Sequence, residues 1–189
     1  MNTFEILFGG ERYLYLTRGL EVTLLLTVFS TVIGIAIGLV IALMQQSQWQ
    51  PFKRHKPSRL QRWRPVAWLA NIYTVIIRGT PSLVQLLIMY YVVFGSYRSV
   101  SKLWIASLAF GINSGAYVAE IIRGGIEGVD SGQVEAARSL GLSRWQTMRY
   151  VVLPQALKTS LPALISEFIT LLKETSIVGW IGMNDLMRG

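Results

Sequence analysis

Val22-Thr-Leu-Leu-Leu-Thr-Val-Phe-Ser-Thr-Val-Ile-Gly-Ile-Ala-Ile-Gly-Leu-Val-Ile-Ala-Leu-Met44 carries no charge from end to end, and its only polar side chains are Thr23, Thr27, Ser30 and Thr31. As a helix rising 1.5 Å per residue it reaches roughly 30 to 35 Å, enough to cross the hydrocarbon core of a bilayer. Ser30, Gly34, Gly38 and Ala42 recur every fourth residue and form one smooth stripe. Such a stripe lets another helix backbone approach closely, although two steps of small residues also arise by chance in transmembrane sequence.

The rest of the composition agrees with lipid as the solvent. Of 189 residues 52% are hydrophobic and only 15% charged, too apolar for an ordinary soluble domain of this size. There is no cysteine and one histidine, His55, so neither a disulfide framework, a thiolate metal site nor a His cluster can form. The net charge of +8 suits nucleic acid or, in an apolar chain, basic loops that fix orientation in a membrane. Met1-Asn2-Thr3-Phe4-Glu5 lacks the cationic start of a secretory signal, so the first apolar run is expected to remain in the mature protein.

Four apolar spans are expected, at about 20–44, 75–95, 103–123 and 157–177. Gln45 to Pro65 holds Lys53, Arg54, Lys56, Arg59, Arg62 and Arg64 with no acidic residue, and Pro51 and Pro57 interrupt any helix there. The stretch Val66 to Phe94 is broken at Arg78-Gly79-Thr80-Pro81; an interfacial helix is expected before the main span, with Arg78 snorkelling to the cytoplasmic side. On the third span Asn113, Tyr117 and Glu120 share one face. The fourth is interrupted by Lys173-Glu174-Thr175-Ser176. With the first loop, Arg78 and the segment Arg123 to Lys158 placed in the cytoplasm, twelve of the 18 Lys and Arg residues lie inside. The positive-inside rule then predicts an external N-terminus, with residues 1–18 outside.

Between the third and fourth spans lies Asp130-Ser-Gly-Gln-Val-Glu-Ala-Ala-Arg-Ser-Leu-Gly-Leu-Ser-Arg-Trp-Gln-Thr-Met-Arg-Tyr-Val-Val-Leu-Pro154. Asp130 with Gln133 and Ser143 with Gln146 are capping pairs, Gly141 is a left-handed helix stop, and Pro154 is expected to end the second helix. Helix, tight turn, helix admits a DNA-binding unit whose second helix enters the major groove. The segment also resembles the EAA loop of ABC importer permeases: Glu135-Ala136-Ala137, three residues, Gly141, nine residues, then Val151-Val152-Leu153-Pro154 in place of Ile-x-Leu-Pro. Its position between two apolar spans, with no soluble domain around it, favours the second reading.

Arg78-Gly79-Thr80-Pro81, Asn113 to Ile126 and Lys173 to Ser176 extend the likeness to the polar amino acid branch of those permeases, the histidine, arginine, glutamine and glutamate type. The resemblance covers about Gly19 to the end. It implies an all-α integral membrane protein, a type-1 ABC importer transmembrane domain over 19–189 with its EAA loop at 127–155. About four spans would be present and an expected fifth missing, as in a truncated chain. It also implies a multi-pass protein of the bacterial cytoplasmic (inner) membrane, in contact with lipid and not with nucleic acid. Partners would be cytoplasmic ABC ATPase subunits, a second permease, identical or sister, and an extracytoplasmic amino-acid-binding protein.

No Gly-x-x-x-x-Gly-Lys-Ser/Thr loop occurs in the sequence, so the expectation is a transport subunit and not an enzyme, binding no cofactor and no metal, with ATP hydrolysed by a partner. By the resemblance Glu135, Ala136, Ala137, Leu140, Gly141, Leu153 and Pro154 form the ATPase-coupling loop, with Val134, Ala137 and Leu140 as the seated face. A channel or a structural subunit without ATP coupling is the rival class. For the substrate path the candidates are Asn113, Tyr117, Glu167 and Thr170. A carboxylate inside a span is expensive unless it faces a cavity or a partner. Glu167 therefore either meets the ammonium of a substrate or pairs with a basic residue, and Glu120 is expected to pair with Arg123 one turn on.

Overall fold

The computed structural model describes residues 12–47, 64–97 and 99–184, and every regular element among them is helical. The helices are α1 (Arg12–Gln46), α2 (Pro65–Arg78), α3 (Ser82–Leu87), α4 (Lys102–Glu127), α5 (Ser131–Ser139), α6 (Arg144–Thr147) and α7 (Leu153–Glu174). In lipid the backbone finds no water to bond to, so a spanning segment must satisfy its own N–H and C=O groups, and a helix does so locally. Hydroxyls in α1 follow the same logic: Thr27 Oγ1 donates to the Thr23 carbonyl oxygen at 2.7 Å. Most basic residues of the first loop, Lys53 to Arg62, lie outside the described residues, as do residues 1–11, Arg98 and 185–189.

Among the described residues α1 and α4 are each long and apolar enough to span a membrane; α2 with α3 and its extension reach that length and hydropathy only when taken together across the sharp bend between them, as a broken span or a re-entrant loop. The break falls where the sequence places it, but α2 runs unbroken through Val75 to Arg78. Pro81 then caps α3 in extended conformation, where its missing N–H costs no helical bond. α7, with 22 residues, is long enough at roughly 33 Å, yet it falls outside the apolar class; it carries Lys158, Glu167, Lys173 and Glu174.

Two π-helical segments extend the shorter helices, Ile88–Val93 after α3 and Met148–Val152 after α6. Pro154 therefore does not end the second helix of the segment 130–154. A proline within a helix leaves one i→i−4 bond unmade and crowds the carbonyl a turn back; widening the preceding turn absorbs both, and the Leu153 N–H bonds to Met148 O five residues back. The chain thus passes from α6 into α7 without a loop.

The chain divides into two compact units. The first comprises Met1–Gly34, Thr80–Ser114 and Phe168–Gly189. Its core is Leu26, Leu86, Ala106, Ala109, Phe110, Leu171, Val178 and Ile181, with Phe29 stacked on Trp104 at 5.1 Å. After α7 a 3-10 helix, Thr175–Ile181, begins at the interruption read in the sequence, and Lys102 Nζ donates to the Gly182 carbonyl at its end (3.1 Å).

The second unit comprises Ile35–Gly79 and Gly115–Glu167. Small residues dominate it: Ala42, Ala67, Ala70, Ala116 and Ala119 are buried. Along α1, Ser30 and Gly34 of the first unit and Gly38 and Ala42 of the second are all buried, so the stripe is a packing face. A Cβ on Gly38 would lie 2.5 Å from Val118 Cγ1 and 3.0 Å from the Gly115 carbonyl oxygen, which leaves room only for hydrogen. The opposite face of α1, from Leu20 through Val32 to Leu43, is apolar and bare, as a lipid-facing surface requires.

Candidate functional site: a capped turn and a charged cavity

The segment 130–154 lies wholly in the second unit, and its turn is built by backbone bonds. Leu140 ends α5 and Gly141 follows at φ +83°, a left-handed conformation that costs glycine nothing. The Gly141 N–H bonds to Arg138 O at 3.1 Å and the Leu142 N–H to Ala137 O at 3.2 Å, the paired bonds that close a Schellman stop. Arg138 adds a 2.6 Å bond from its guanidinium to the Leu142 carbonyl. Ser143 then opens α6 with a reciprocal capping box to Gln146. At the other end Asp130 caps α5 by accepting from the Gly132 N–H, while Gln133 turns instead to Gln155 on α7.

With its polar backbone satisfied, the segment displays apolar side chains. Leu140 is 81% exposed and Trp145 69% exposed. Tyr150 is exposed too, as are Glu135, Ala136, Leu153 and Pro154. Ala137 is buried within the chain and Val134 is half-buried, so the apolar face expected from Val134, Ala137 and Leu140 is split. Leu140 points outward and Ala137 holds α5 down. Trp145 and Tyr150 were not singled out by sequence, because an aromatic on a short helix reads equally as buried or bare.

A second feature of this unit is a cavity of about 620 Å³ lined by Gln45, Asn71, Thr74, Val75, Arg78, Gly79, Glu120, Arg123 and Glu127. Charged side chains on membrane helices cost about 2.5 to 3.5 kcal/mol each on insertion scales unless they are paired or wet, and here they are paired. Glu120 Oε2 lies 2.7 Å from Arg123 and 3.5 Å from Arg78, and its Oε1 accepts from Gln45 Nε2 at 3.2 Å. Arg123 also reaches Glu127 at 2.7 Å. The Glu120–Arg123 pair is the one its spacing predicts. Arg78 reaches Glu120 and lies over the Tyr117 ring, 5.3 Å from its centroid.

Of the candidate substrate residues, Asn113 is buried on α4 and its Nδ2 donates to Gln85 Oε1 at 3.2 Å. Gln85 is in turn anchored to Thr80 by a 2.6 Å bond between side chains, so Asn113 is tied to the break that begins α3. Tyr117 is half-buried beneath Arg78. On α7 Glu167 is half-buried and Thr170 exposed. Asn113 and Thr170 belong to the first unit, Tyr117 and Glu167 to the second.

Residues 59–188 match the family described as binding-protein-dependent transport system inner membrane component. The chain is 40% identical over 178 residues to the arginine transport system permease protein ArtQ of Bacillus subtilis (strain 168), covering 92% of itself and 74% of that protein. It is 36% identical over 182 residues to the glutamate/aspartate import permease protein GltK of Escherichia coli O6:H1, with coverages of 92% and 75%. Of the putative glutamine transport system permease protein GlnP of Rickettsia conorii it spans 60%, at 42% identity over 133 residues and 69% of itself. The solved structure of an amino acid ABC transporter with histidines superposes at a TM-score of 0.84 and 42% identity, covering all of this chain and 80% of the other. The MetNI methionine ABC transporter in an inward facing conformation, 21% identical, shares the fold at a TM-score of 0.73 over 98% of this chain and 79% of its own. With the family match extending over more than half its length, this protein belongs to the inner membrane components of binding-protein-dependent transport systems, as a permease of the type-1 ABC importer fold.

Proposed function

We propose that the chain is the membrane-spanning permease subunit of an ATP-driven importer of polar amino acids, lying in a bacterial cytoplasmic membrane with its N-terminus outside. A cytoplasmic ATPase hydrolyses ATP, a second permease, identical or sister, completes the pore, and an extracytoplasmic binding protein delivers the substrate. The observation that carries this reading is the coupling turn: a backbone closed on itself from Asp130 to Gln146 that leaves Leu140 and Trp145 bare. Large apolar side chains on a rigid turn outside the lipid-facing spans are suited to a groove on a partner. Glu135, Ala136, Leu153 and Pro154 border that surface, while Ala137 and Gly141 fix its shape. Asn113, Tyr117, Glu167 and Thr170 are the residues assigned to the substrate path.

The relatives named for arginine, glutamine and glutamate/aspartate support the substrate class. The test is affinity purification from native membranes followed by reconstitution with whatever subunits copurify. ATP-dependent uptake of a labelled polar amino acid, requiring the added binding protein, is the expected result. Flux without nucleotide, and no ATPase in the purified complex, would make the chain a channel or a structural subunit instead.

A further inference from the structure

The cavity at the C-terminal ends of α1 and α4 holds two guanidiniums, Arg78 and Arg123, and two carboxylates, Glu120 and Glu127. It is neutral as a whole, with its charges separated in space. They are not equally committed. Arg123 is consumed by 2.7 Å contacts to both carboxylates. Glu120 is saturated by Arg123 and Gln45, so its 3.5 Å approach to Arg78 is the loosest of the set. Arg78 offers five N–H donors in a planar fork, and Tyr117 supports one face of it. On the acceptor side Gln45 is buried, donates through Nε2 to Glu120, and keeps an Oε1 with no hydrogen-bond partner. Glu127 is exposed at the rim.

The structure assigns this cavity as a binding site for a zwitterionic α-amino acid, its carboxylate on the Arg78 fork and its ammonium toward the exposed carboxylate of Glu127. A planar fork matches a carboxylate in bidentate fashion, and a neutral ligand with both charges enters a balanced site without leaving an uncompensated ion. At about 620 Å³ the cavity is of ligand-binding size. It uses none of Asn113, Glu167 and Thr170. Both Gln45 and Glu127 end helices that lead into segments read as cytoplasmic, so this is a site met on the cytoplasmic side, for release or for sensing of imported amino acid. The assignment rests on the importer reading above.

The natural chain has no cysteine, so Val75→Cys, on the cavity wall, gives this subunit a single thiol. Its reaction with a charged methanethiosulfonate would be read by mobility of this chain, in the assembled transporter held in nanodiscs. The probes are L-arginine, L-glutamine and L-glutamate at millimolar concentration, their methyl esters, and inorganic phosphate. At least one free amino acid is expected to slow modification about fivefold, as for a site about four-fifths occupied, while its ester does not. Arg78→Gln should abolish that protection, read as the ratio of the rates with and without amino acid so that any change in the unprotected rate cancels, and Glu127→Gln should weaken it. No protection by any of the three amino acids, equal protection by the esters, protection by phosphate alone, or protection that survives Arg78→Gln would each overturn the site. Binding-protein-dependent uptake without protection removes the site and leaves the importer; protection without uptake keeps the site and removes the importer.

Discussion

Gly141 occupies a conformation that an L-side chain enters at a cost of about 1 to 2 kcal/mol, and nothing lies within 4 Å of where its Cβ would be. Strain, not crowding, is therefore what a substitution there meets. Gly141→Val should abolish ATP-dependent uptake while leaving the amount of protein in the membrane unchanged; normal uptake by normally inserted protein would separate the turn from coupling. Glu167 poses a different question, since its carboxylate serves either a substrate or the fold. Glu167→Gln keeps the shape and removes the charge: as a substrate ligand it should change the half-saturation for uptake or the choice among amino acids, with basal ATP hydrolysis intact. Unchanged uptake and selectivity would make it structural. At this scale sequence resolves what is local. The positive φ of Gly141, the Ser143 capping box and the Glu120–Arg123 pair span a few residues each and are written in their spacing. Arg78 with Glu120, and Gln45 with Glu120, are separated by whole helices, and no periodicity in the sequence encodes such a meeting.

Two adjacent glycines near the end of α4 show how much an element's packing decides. A Cβ on Gly124 would touch nothing within 4 Å, whereas one on Gly125 would lie 2.0 Å from Ser160 Oγ and 2.9 Å from the Ala156 carbonyl oxygen. Gly125 is where α7 lies against α4, and Ser160 Oγ bonds the Ile121 carbonyl there at 3.2 Å. Gly124→Ala should raise the thermal midpoint of the detergent-solubilised protein, since alanine in a helix is favoured by about 0.5 to 1 kcal/mol. Gly125→Ala should lower it, overpacking costing about 1 to 3 kcal/mol; shifts of the same sign would show that α4 and α7 do not pack this closely. Sequence separates neither glycine from the other. It does place the small-residue stripe of α1 and the break before Pro81, because period and proline act within one element. It misreads Pro154, because a proline that follows a widened turn is tolerated and only the backbone reveals the widening.

For the molecule as a whole, charge distribution decides orientation. With its natural chain free of thiols, a cysteine at Ser99 should react with an impermeant reagent from outside, and one at Ser58 only with reagents that enter the cytoplasm. Reversal of both would overturn an external N-terminus. The overall plan is legible in sequence because apolar runs of sufficient length have one solution in lipid; which residues of α7 meet lipid and which line a pathway is not, since its charges serve either. Buried share separates the helices in function: 28% of the most apolar window of α1 is buried against 67% for α4, so α1 is a boundary and α4 a pillar. The turn at Gly141 divides its labour in a further way. Its shape comes from main-chain bonds and one glycine, while the groups it offers outward, Leu140 and Trp145, hold none of that shape together. Those outward groups can therefore be exchanged for others without disturbing the scaffold that presents them.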